Sequence, residues 1–379
     1  MKVLHVIPSL SAAHGGPTQA MLTIERALRD AGVDVETATT DDDGPGRRIA
    51  RAHAAALAEG AAVRWYFPRT IEFYKASPAF VPWIAREVRR FDVVHIHSLF
   101  SFTTPVAAWA ARRANVPYVV RPLGTLDRYG VVQRRPWLKA LSMRWVERPL
   151  LQHAAAVHFT SETEAAEAKR LGWDMRPVVI PLAVDAAAGP PRAFSSAGLR
   201  VLFLSRLDPK KNIEGLLDAV AMVRADVSAL QLSVAGAGEA AYVAQLKSRA
   251  DALGIAANVR WLGHVSGEAK LQALRDADVF VLPSFSENFG VAAAEALAAG
   301  IPCIVGEGVA IGHDIATAGA GFTVAPDAAS IAQGIRGFVA QRAEWASMSQ
   351  QASRLAGERF SPEAMARALK RLYADILTR

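Results

Sequence analysis

The chain has 379 residues, of which 51% are hydrophobic and 21% charged, with a net charge of +7 and one cysteine, Cys303. This length exceeds the roughly 250–300 residues at which a single hydrophobic core stops growing, so it predicts two domains. The composition excludes a disordered chain, and the lone cysteine excludes an intramolecular disulfide framework and a zinc site built from several thiolates.

Short apolar runs alternate with stretches of helical spacing in the first half of the chain. Strands are predicted at 3–7, 35–39, 92–97, 118–121, 156–160 and 178–180, and a helix at 19–31. His5 and Pro8 interrupt the first apolar run, which therefore predicts a strand and not a signal peptide. No apolar run reaches the ~20 residues that a membrane-spanning helix needs. Strand–helix alternation predicts a parallel sheet with helices on both faces.

The segment 186–198 is rich in alanine, glycine and proline, which is typical of a linker. Strands resume at 200–205, 230–235, 259–262, 279–283 and 303–305 and predict a second α/β domain. Ser361 and Pro362 are typical of a helix start. We predict an N-terminal domain over 1–185, a linker over 186–198, a C-terminal domain over 199–360, and a helix over 361–379 that crosses back to the N-terminal domain. A ligand would lie between the two domains, at the carboxyl ends of the strands.

All of the positive excess lies in residues 1–195, and it is densest in 121–150. Basic residues alternate there with Trp137, Leu141 and Trp145. Such a segment indicates either a solvated amphipathic helix or a surface for an anionic membrane or a phosphorylated substrate. We find no nucleic-acid-binding motif, so no nucleic-acid partner is predicted.

Two strand-to-helix junctions carry residues suited to anions. Gly15 and Gly16 follow the first strand, and glycines there let a ligand approach the backbone near the helix amides, although a plain turn explains them equally well. The pattern is not Gly-x-Gly-x-x-Gly, so a nicotinamide cofactor is not indicated. In the second half, Arg206 and Lys211 lie at the corresponding junction and could hold a pyrophosphate without a metal ion.

The most specific pattern is a pair of carboxylates around a helix start. A strand leads into a polar loop that contains Glu287, and an alanine-rich helix then carries Glu295, roughly 7–8 Å along its axis. Carboxylates accept several hydrogen bonds from hydroxyl-rich ligands, and amides near Phe289 and Gly290 would face an anion. An Asp-x-Asp metal site at 41–43 or 276–278 is a weaker alternative.

The sequence resembles the retaining GT-B glycosyltransferases of family 4. The block from Glu287 to Glu295 resembles their Glu-x7-Glu motif, the segment 205–212 resembles their phosphate clamp, and Gly15-Gly16-Pro17 and 92–97 resemble their first-domain signatures. The resemblance covers essentially the whole chain. It implies an α/β protein with two Rossmann-like doubly wound domains facing a central cleft.

The resemblance also implies roles for individual residues. Arg206 and Lys211 would neutralise the donor diphosphate, and Glu295 would bind the ribose. Catalytic roles are implied for His97 and Glu287, and donor-binding roles for Gly15, Gly16, Asn288, Phe289 and Gly290. His14 and Arg121 are predicted to lie on the acceptor side. His95 shares a strand face with His97, so the spacing alone leaves the choice between these two histidines open.

The implied function is transfer of a sugar, with retention, from a nucleotide-diphosphate sugar to a hydroxyl of a glycan or lipid-linked acceptor, without a cofactor or metal ion. This activity would serve cell-surface polysaccharide or lipid-linked glycan synthesis in the cytoplasm, with contact to the inner face of the membrane through 121–150. The alternatives are a nucleotide-sugar epimerase on the same fold and a non-catalytic nucleotide-sugar-binding protein.

Overall fold

The computed structural model describes residues 1–11, 16–50, 62–126, 141–185, 194, 198–227 and 229–378, with the backbone alone at Phe73. It consists of two compact units. The first unit comprises Met1–Ala183 and Pro362–Arg379, and the second comprises Val184–Ser361. Most of the predicted linker, 186–198, lies outside the described residues.

The first unit is built on a seven-stranded, wholly parallel sheet with the strand order β3-β2-β1-β4-β5-β6-β7. Its strands are β1 (Lys2–Ser9), β2 (Asp34–Thr40), β3 (Val63–Phe67), β4 (Val93–His97), β5 (Tyr118–Arg121), β6 (Ala156–Phe159) and β7 (Pro177–Val179). The strand order reverses between β1 and β4. In doubly wound sheets, ligands bind at the carboxyl ends of the strands beside such a reversal.

Helices cover both faces of this sheet. They are α1 (Gly16–Asp30), α2 (Phe80–Glu87), α3 (Thr103–Arg113), α4 (Arg148–Gln152) and α5 (Glu162–Lys169), with short 3₁₀ turns at Phe73–Lys75 and Val88–Arg90 and a π-helical turn at Met143–Glu147. One apolar core packs under α2 and α3. The other packs under α1 and the last helix of the chain. Burial on both faces explains why central strands such as β1 and β4 are mostly apolar on both sides.

The second unit repeats the architecture with six parallel strands in the order β10-β9-β8-β11-β12-β13. Its strands are β8 (Leu199–Leu204), β9 (Leu230–Ala235), β10 (Val259–Gly263), β11 (Val279–Leu282), β12 (Cys303–Gly306) and β13 (Gly321–Val324). Its helices are α6 (Ile213–Val223), α7 (Ala240–Ala252), α8 (Gly267–Asp276), α9 (Val291–Ala298), α10 (Gly312–Thr317), α11 (Ala328–Ala340) and α12 (Trp345–Arg359), with 3₁₀ turns at Pro209–Lys211, Ala256–Asn258 and Arg342–Glu344. The order reverses between β8 and β11.

The last helix, α13 (Pro362–Leu377), packs in the first unit although it follows the second in sequence. Met365, Leu369, Tyr373 and Ile376 form a stripe at helical spacing, and they join the apolar core that lies under α1. The N-terminal unit is therefore completed by the C-terminal end of the described chain.

The predicted fold class, two doubly wound α/β domains, is confirmed. Strands β3 and β13 were not predicted. β3 is an edge strand whose sequence, Val-Arg-Trp-Tyr-Phe, lacks the apolar run of the central strands, and β13 is a four-residue edge strand that begins at a glycine. None of the described helices is long and apolar enough to cross a membrane.

Candidate active site

The turn after β8 carries the two predicted clamp residues, Arg206 and Lys211, and hydrogen bonds fix its backbone. Asp208 begins the 3₁₀ turn Pro209–Lys211, and its Oδ1 accepts a hydrogen bond from the Lys210 amide at 3.0 Å. Asn212 ends this turn in the left-handed conformation with φ 56°. Its buried Nδ2 donates to the carbonyl oxygens of Pro283 (3.1 Å) and Pro326 (2.7 Å). Asn212 thereby ties the basic turn to the end of β11.

Hydrogen bonds also fix the backbone of the loop after β11. The Glu287 amide donates to the Gly308 carbonyl at 2.8 Å, and the Glu287 carbonyl accepts from the Ala310 amide at 3.1 Å. The Glu287 side chain forms an ion pair with Lys211, and its Oε1 also accepts from the Ser284 hydroxyl at 3.0 Å. The structure therefore brings together the predicted clamp residue Lys211 and the predicted catalytic residue Glu287. Arg206, from the same turn, is exposed and forms no ion pair within the described ranges.

Gly290 sets the entry to α9. It caps the helix at φ 95°, a conformation that favours glycine, and a Cβ atom there would lie 2.8 Å from Cγ1 of Val309. Phe289 is buried and packs edge-on against Phe360, with ring centroids 5.5 Å apart, whereas Asn288 is exposed. The side chain of Phe289 therefore packs in the core, and only its backbone is available to a ligand.

Glu295 lies in the second turn of α9 and has a partner that sequence analysis missed. Lys270 on α8 places its Nζ 2.8 Å from Oε1 of Glu295. Both side chains remain partly exposed, at 31% and 25%. Each carboxylate of the Glu-x7-Glu block is thus paired with a lysine from another element.

The predicted first-unit residues are only partly described. His14 and Gly15 lie outside the described ranges. Gly16 begins α1 and is exposed, and a Cβ atom there would have no neighbour within 4 Å. The fold therefore does not require glycine at position 16, and the space beside it is open to a ligand.

His97 and His95 both point to the sheet face covered by α13, and both are fully buried. His97 Nε2 lies 2.8 Å from His5 Nδ1. His95 Nδ1 lies 2.7 Å from the Tyr373 hydroxyl, and its Nε2 lies 3.3 Å from Nδ1 of His158. This burial does not fit the direct sugar contact that the resemblance implies for His97, because a side chain under the core helices does not meet solvent.

These histidines are neutral. Burial, with the charge of Arg121 nearby, lowers the pKa of His5 and of His158 to about 3, and burial also holds the pKa values of His95 and His97 well below 6.5. His158 Nε2 must donate to the Ile180 carbonyl, 2.9 Å away, since a carbonyl only accepts. His158 Nδ1 then accepts from His95 Nε2, and His95 Nδ1 accepts from Tyr373. The hydrogen bonds therefore assign one neutral tautomer to His158 and one to His95.

Three of these rings, those of His5, His95 and His97, place nitrogens within 4.8 Å of one another, as a metal site would. The His95 and His97 rings are stacked, with centroids 4.4 Å apart and planes 24° apart, and the His5 and His97 rings are stacked in the same way. Imidazole lone pairs lie in the ring plane, so near-parallel stacked rings do not aim them at one ion. The arrangement is a hydrogen-bonded core cluster.

Arg121 ends β5 beside this cluster and is only 3% exposed. Its Nε has no hydrogen-bond partner, and the described residues offer it no ion pair. Burial lowers the pKa of its guanidinium to about 10. Arg121 therefore does not contribute to an exposed basic surface over 121–150, because its side chain lies in the core, and its acceptor-side role stays a prediction.

Each of the two Asp-x-Asp alternatives includes a carboxylate that already pairs with an arginine. Asp278 is fully buried and pairs with Arg200 at 2.6 Å. In the run 41–43, where the two ligands would be Asp41 and Asp43, Asp41 pairs with Arg48 at 3.7 Å.

Two family profiles match this chain. The profile described as "Glycosyl transferase 4-like domain" matches residues 15–183, and "Glycosyl transferases group 1" matches residues 192–355. A phosphatidyl-myo-inositol mannosyltransferase of Mycobacterium leprae is 31% identical over 245 residues, which are 60% of this chain and 60% of that one. The match thus spans less than two thirds of that relative. A GDP-mannose:cellobiosyl-diphosphopolyprenol alpha-mannosyltransferase of Komagataeibacter xylinus is 25% identical over 100% of this chain and 94% of its own.

Solved structures share the fold at low identity. HepE of Anabaena, solved with UDP, superposes with a TM-score of 0.78 at 18% identity and covers 99% of this chain and 100% of its own. A sucrose-phosphate synthase from Thermosynechococcus elongatus gives 0.75 at 21% identity, over 100% and 99% of the two chains. Between them, the two profiles span nearly the whole chain, and on this basis it belongs to the GT-B glycosyltransferases of family 4.

Proposed function

We propose that this protein transfers a sugar from a nucleotide-diphosphate sugar to a hydroxyl of a glycan or lipid-linked acceptor, with retention of configuration and without a metal ion. The observation that carries the proposal is the ion pair between Lys211 and Glu287, beside the strand-order reversal of the second unit. It joins a basic turn suited to a diphosphate to an acidic loop suited to sugar hydroxyls. The relatives named as mannosyltransferases support a sugar-transfer chemistry.

The proposed chemistry depends on stabilising the leaving group. As the bond between the sugar C1 and the diphosphate oxygen breaks, negative charge grows on the diphosphate. Arg206, Lys211 and the first amides of α9 would compensate this charge, which lowers the barrier without an ion. The acceptor oxygen then bonds to C1 from the same face, and its proton passes to the departing phosphate oxygen.

The two carboxylates would hold opposite ends of the donor. Glu287 would accept hydrogen bonds from the sugar, and Glu295 from the ribose. When a donor binds, Lys211 would exchange part of its contact with Glu287 for the diphosphate. His97 would act through the packing of β4 and not by touching the sugar, since it is fully buried.

The test is a panel of nucleotide sugars, read first by thermal shift and then by turnover with a lipid-linked glycan acceptor. A ligand that binds only the folded protein raises its melting temperature.

The Arg206→Ala/Lys211→Ala double variant should lose at least about 100-fold in kcat. Lys247→Ala, at an exposed position of α7, serves as the control. Near-normal turnover of the double variant would refute the clamp. Isomerised donor in the absence of acceptor would instead identify an epimerase, and binding without turnover a non-catalytic protein.

We also propose peripheral contact with an anionic membrane. Of the segment 121–150, residues 127–140 lie outside the described ranges, but Leu141, Arg144, Trp145 and Arg148 are all exposed at helical spacing. Trp145 is 67% exposed, and the Arg144 guanidinium lies 5.5 Å from its ring centroid. Such a face suits an anionic interface. In flotation with anionic liposomes, Trp145→Ala should reduce a salt-sensitive association, whereas Trp109→Ala, at another exposed tryptophan, should not.

A further inference from the structure

A Gly-x-Gly turn lies beside each of the two loops of the candidate donor site. Gly236-Ala237-Gly238 follows β9 and runs beside the basic turn (205–211), and Gly306-Glu307-Gly308 ends β12 and runs beside the acidic loop (283–290). The basic turn follows β8 and the acidic loop follows β11, the two central strands, and β9 and β12 flank these strands on either side. The two Gly-x-Gly turns therefore occupy equivalent positions on opposite sides of the site.

Hydrogen bonds extend the pairing of the strands into these loops. The Leu207 amide donates to the Ala237 carbonyl at 2.8 Å, and Leu207 pairs with Gly238 in a parallel bridge beyond the end of β8. Glu287 makes the corresponding parallel bridge beyond the end of β11, where its amide donates to the Gly308 carbonyl at 2.8 Å. Both site loops are thus held by main-chain pairing, although they lie outside the strands.

The approach of each Gly-x-Gly turn is too close for a side chain. A Cβ atom at Gly238 would overlap the Leu207 carbonyl oxygen, and one at Gly308 would overlap the Phe285 carbonyl oxygen. Neither glycine has a positive φ angle, so the contact and not the backbone conformation excludes a side chain. A main-chain carbonyl cannot rotate aside as a flexible side chain can. An alanine would therefore displace the loop by about 1 Å to regain an ordinary contact distance.

The basic turn and the acidic loop also hold each other. The Phe285 amide donates to the Lys210 carbonyl at 3.0 Å, and the next residue, Lys211, forms the ion pair with Glu287. Both members of this ion pair thus extend from backbone that a Gly-x-Gly turn contacts. A shift of either loop would move one member of the pair relative to the other.

We propose that Gly238 and Gly308 are positioning residues for sugar transfer. The missing side chain at each lets a flanking turn contact the main chain of the basic turn or the acidic loop, which fixes Lys211 and Glu287 before a donor arrives. This inference rests on the proposed glycosyl transfer. Charges that are already in place stabilise a transition state without rearrangement, and a misplacement of about 1 Å can cost about 100-fold in rate.

The first measurement is hydrogen exchange of the whole chain without donor, resolved to short peptides, because it does not depend on turnover. In the unmodified protein we expect the amides of Leu207 and Glu287 to exchange as slowly as those of β8 and β11. Gly308→Ala should speed exchange at Glu287 at least about tenfold and leave Leu207 protected, and Gly238→Ala should do the reverse. Fast exchange at both amides in the unmodified protein would overturn the proposal.

The second measurement is turnover of a nucleotide sugar with an acceptor, corrected for the folded fraction of each variant. Gly308→Ala should lower kcat/KM at least about tenfold. In the control Gly321→Ala, the added methyl group would overlap the Cys303 carbonyl oxygen at the amino ends of β12 and β13, away from both loops. This control should lower the stability of the second unit but leave kcat/KM of the folded protein unchanged. Gly337→Ala, whose methyl group meets nothing within 4 Å, should change neither.

A double variant separates positioning from stability. In a Glu287→Gln background, Gly308→Ala should cost less than about twofold in kcat/KM, because the carboxylate that it positions is already lost. An equal loss in both backgrounds would overturn the proposal, as would equal losses of kcat/KM in Gly308→Ala and Gly321→Ala. Absence of turnover with every nucleotide sugar would refute the proposed function, whereas hydrogen exchange would still test the positioning.

Discussion

The Nζ of Lys270 lies 2.8 Å from Oε1 of Glu295, which joins α8 to α9 at the side of the candidate donor site. A lysine in this position fixes one oxygen of the Glu295 carboxylate, which leaves the other oxygen for the proposed contact with a ribose hydroxyl. Lys270 therefore belongs to the candidate site as a positioning residue.

Lys270→Met should raise the KM for the donor about tenfold with little change in kcat, because the lost interaction concerns binding and not the reacting bond. Lys270→Arg should recover part of the loss. With a 2′-deoxyribose donor the effect of Lys270→Met should shrink, since this donor lacks one of the ribose hydroxyls that Glu295 is proposed to bind. An effect of equal size on both donors would show that Lys270 acts only through stability.

The backbone conformation at Gly290, with φ 95°, favours glycine. Gly290→Ala places a methyl group 2.8 Å from Val309 and forces an L-residue to φ 95°. We expect the second unit to lose about 1–3 kcal/mol of unfolding free energy and donor affinity to fall, because the amides at the start of α9 would shift. Gly357→Ala is the control, since its added methyl group meets nothing within 4 Å and lies inside α12. Denaturant unfolding with the nucleotide as a second readout measures both effects. Equal stability of the two variants would contradict the prediction.

The sequence predicted that Arg206, Lys211 and Glu287 lie in loops after strands and that Glu295 lies inside the following helix, and the structure has them at these places. Such junctions are recognisable from local sequence, whereas the roles of these four residues stay predictions. Lys270 was missed because a salt bridge between residues 25 positions apart on two helices has no sequence signature. The burial of His97 was not foreseen for a related reason, and its catalytic role stays a prediction. Alternation along β4 places His95 and His97 on one face, but only the folded chain shows that α13 covers it.

Glu147 carries a prediction about pH. Burial raises the pKa of its carboxyl group to about 7, against the ordinary 4.5, so the folded protein binds the proton more tightly than the unfolded chain. The favourable contribution of Glu147 to the free energy of unfolding is full below pH 4.5 and is lost as the pH rises through 7.

Glu147→Gln keeps an oxygen that can accept a hydrogen bond from the Phe100 amide, and its side chain cannot ionise. It should therefore be more stable than the unmodified protein at pH 8.5, by about 1–3 kcal/mol, and similar to it at pH 5. Glu344→Gln, at an exposed glutamate, is the control. A stability difference that does not change with pH would contradict this assignment.

The neutral histidines predict that the stability of the first unit falls as the pH falls, which is opposite to the effect of Glu147. Their pKa values are lowered in the folded state, to about 3 for His5 and His158, so between pH 6.5 and 3 the unfolded chain binds more protons than the folded one. The stability of the first unit is then complete above pH 6.5 and declines as the pH falls toward 3.

His158→Gln keeps one donor and one acceptor but removes a titrating group, so this decline should become shallower. His153→Gln, at an exposed histidine outside the cluster, should leave it unchanged. Hydrogen exchange of the β4 and β6 amides as a function of pH isolates the first unit from the second. Protection that stays constant from pH 7 to pH 4 would show that the cluster does not control acid unfolding of this sheet.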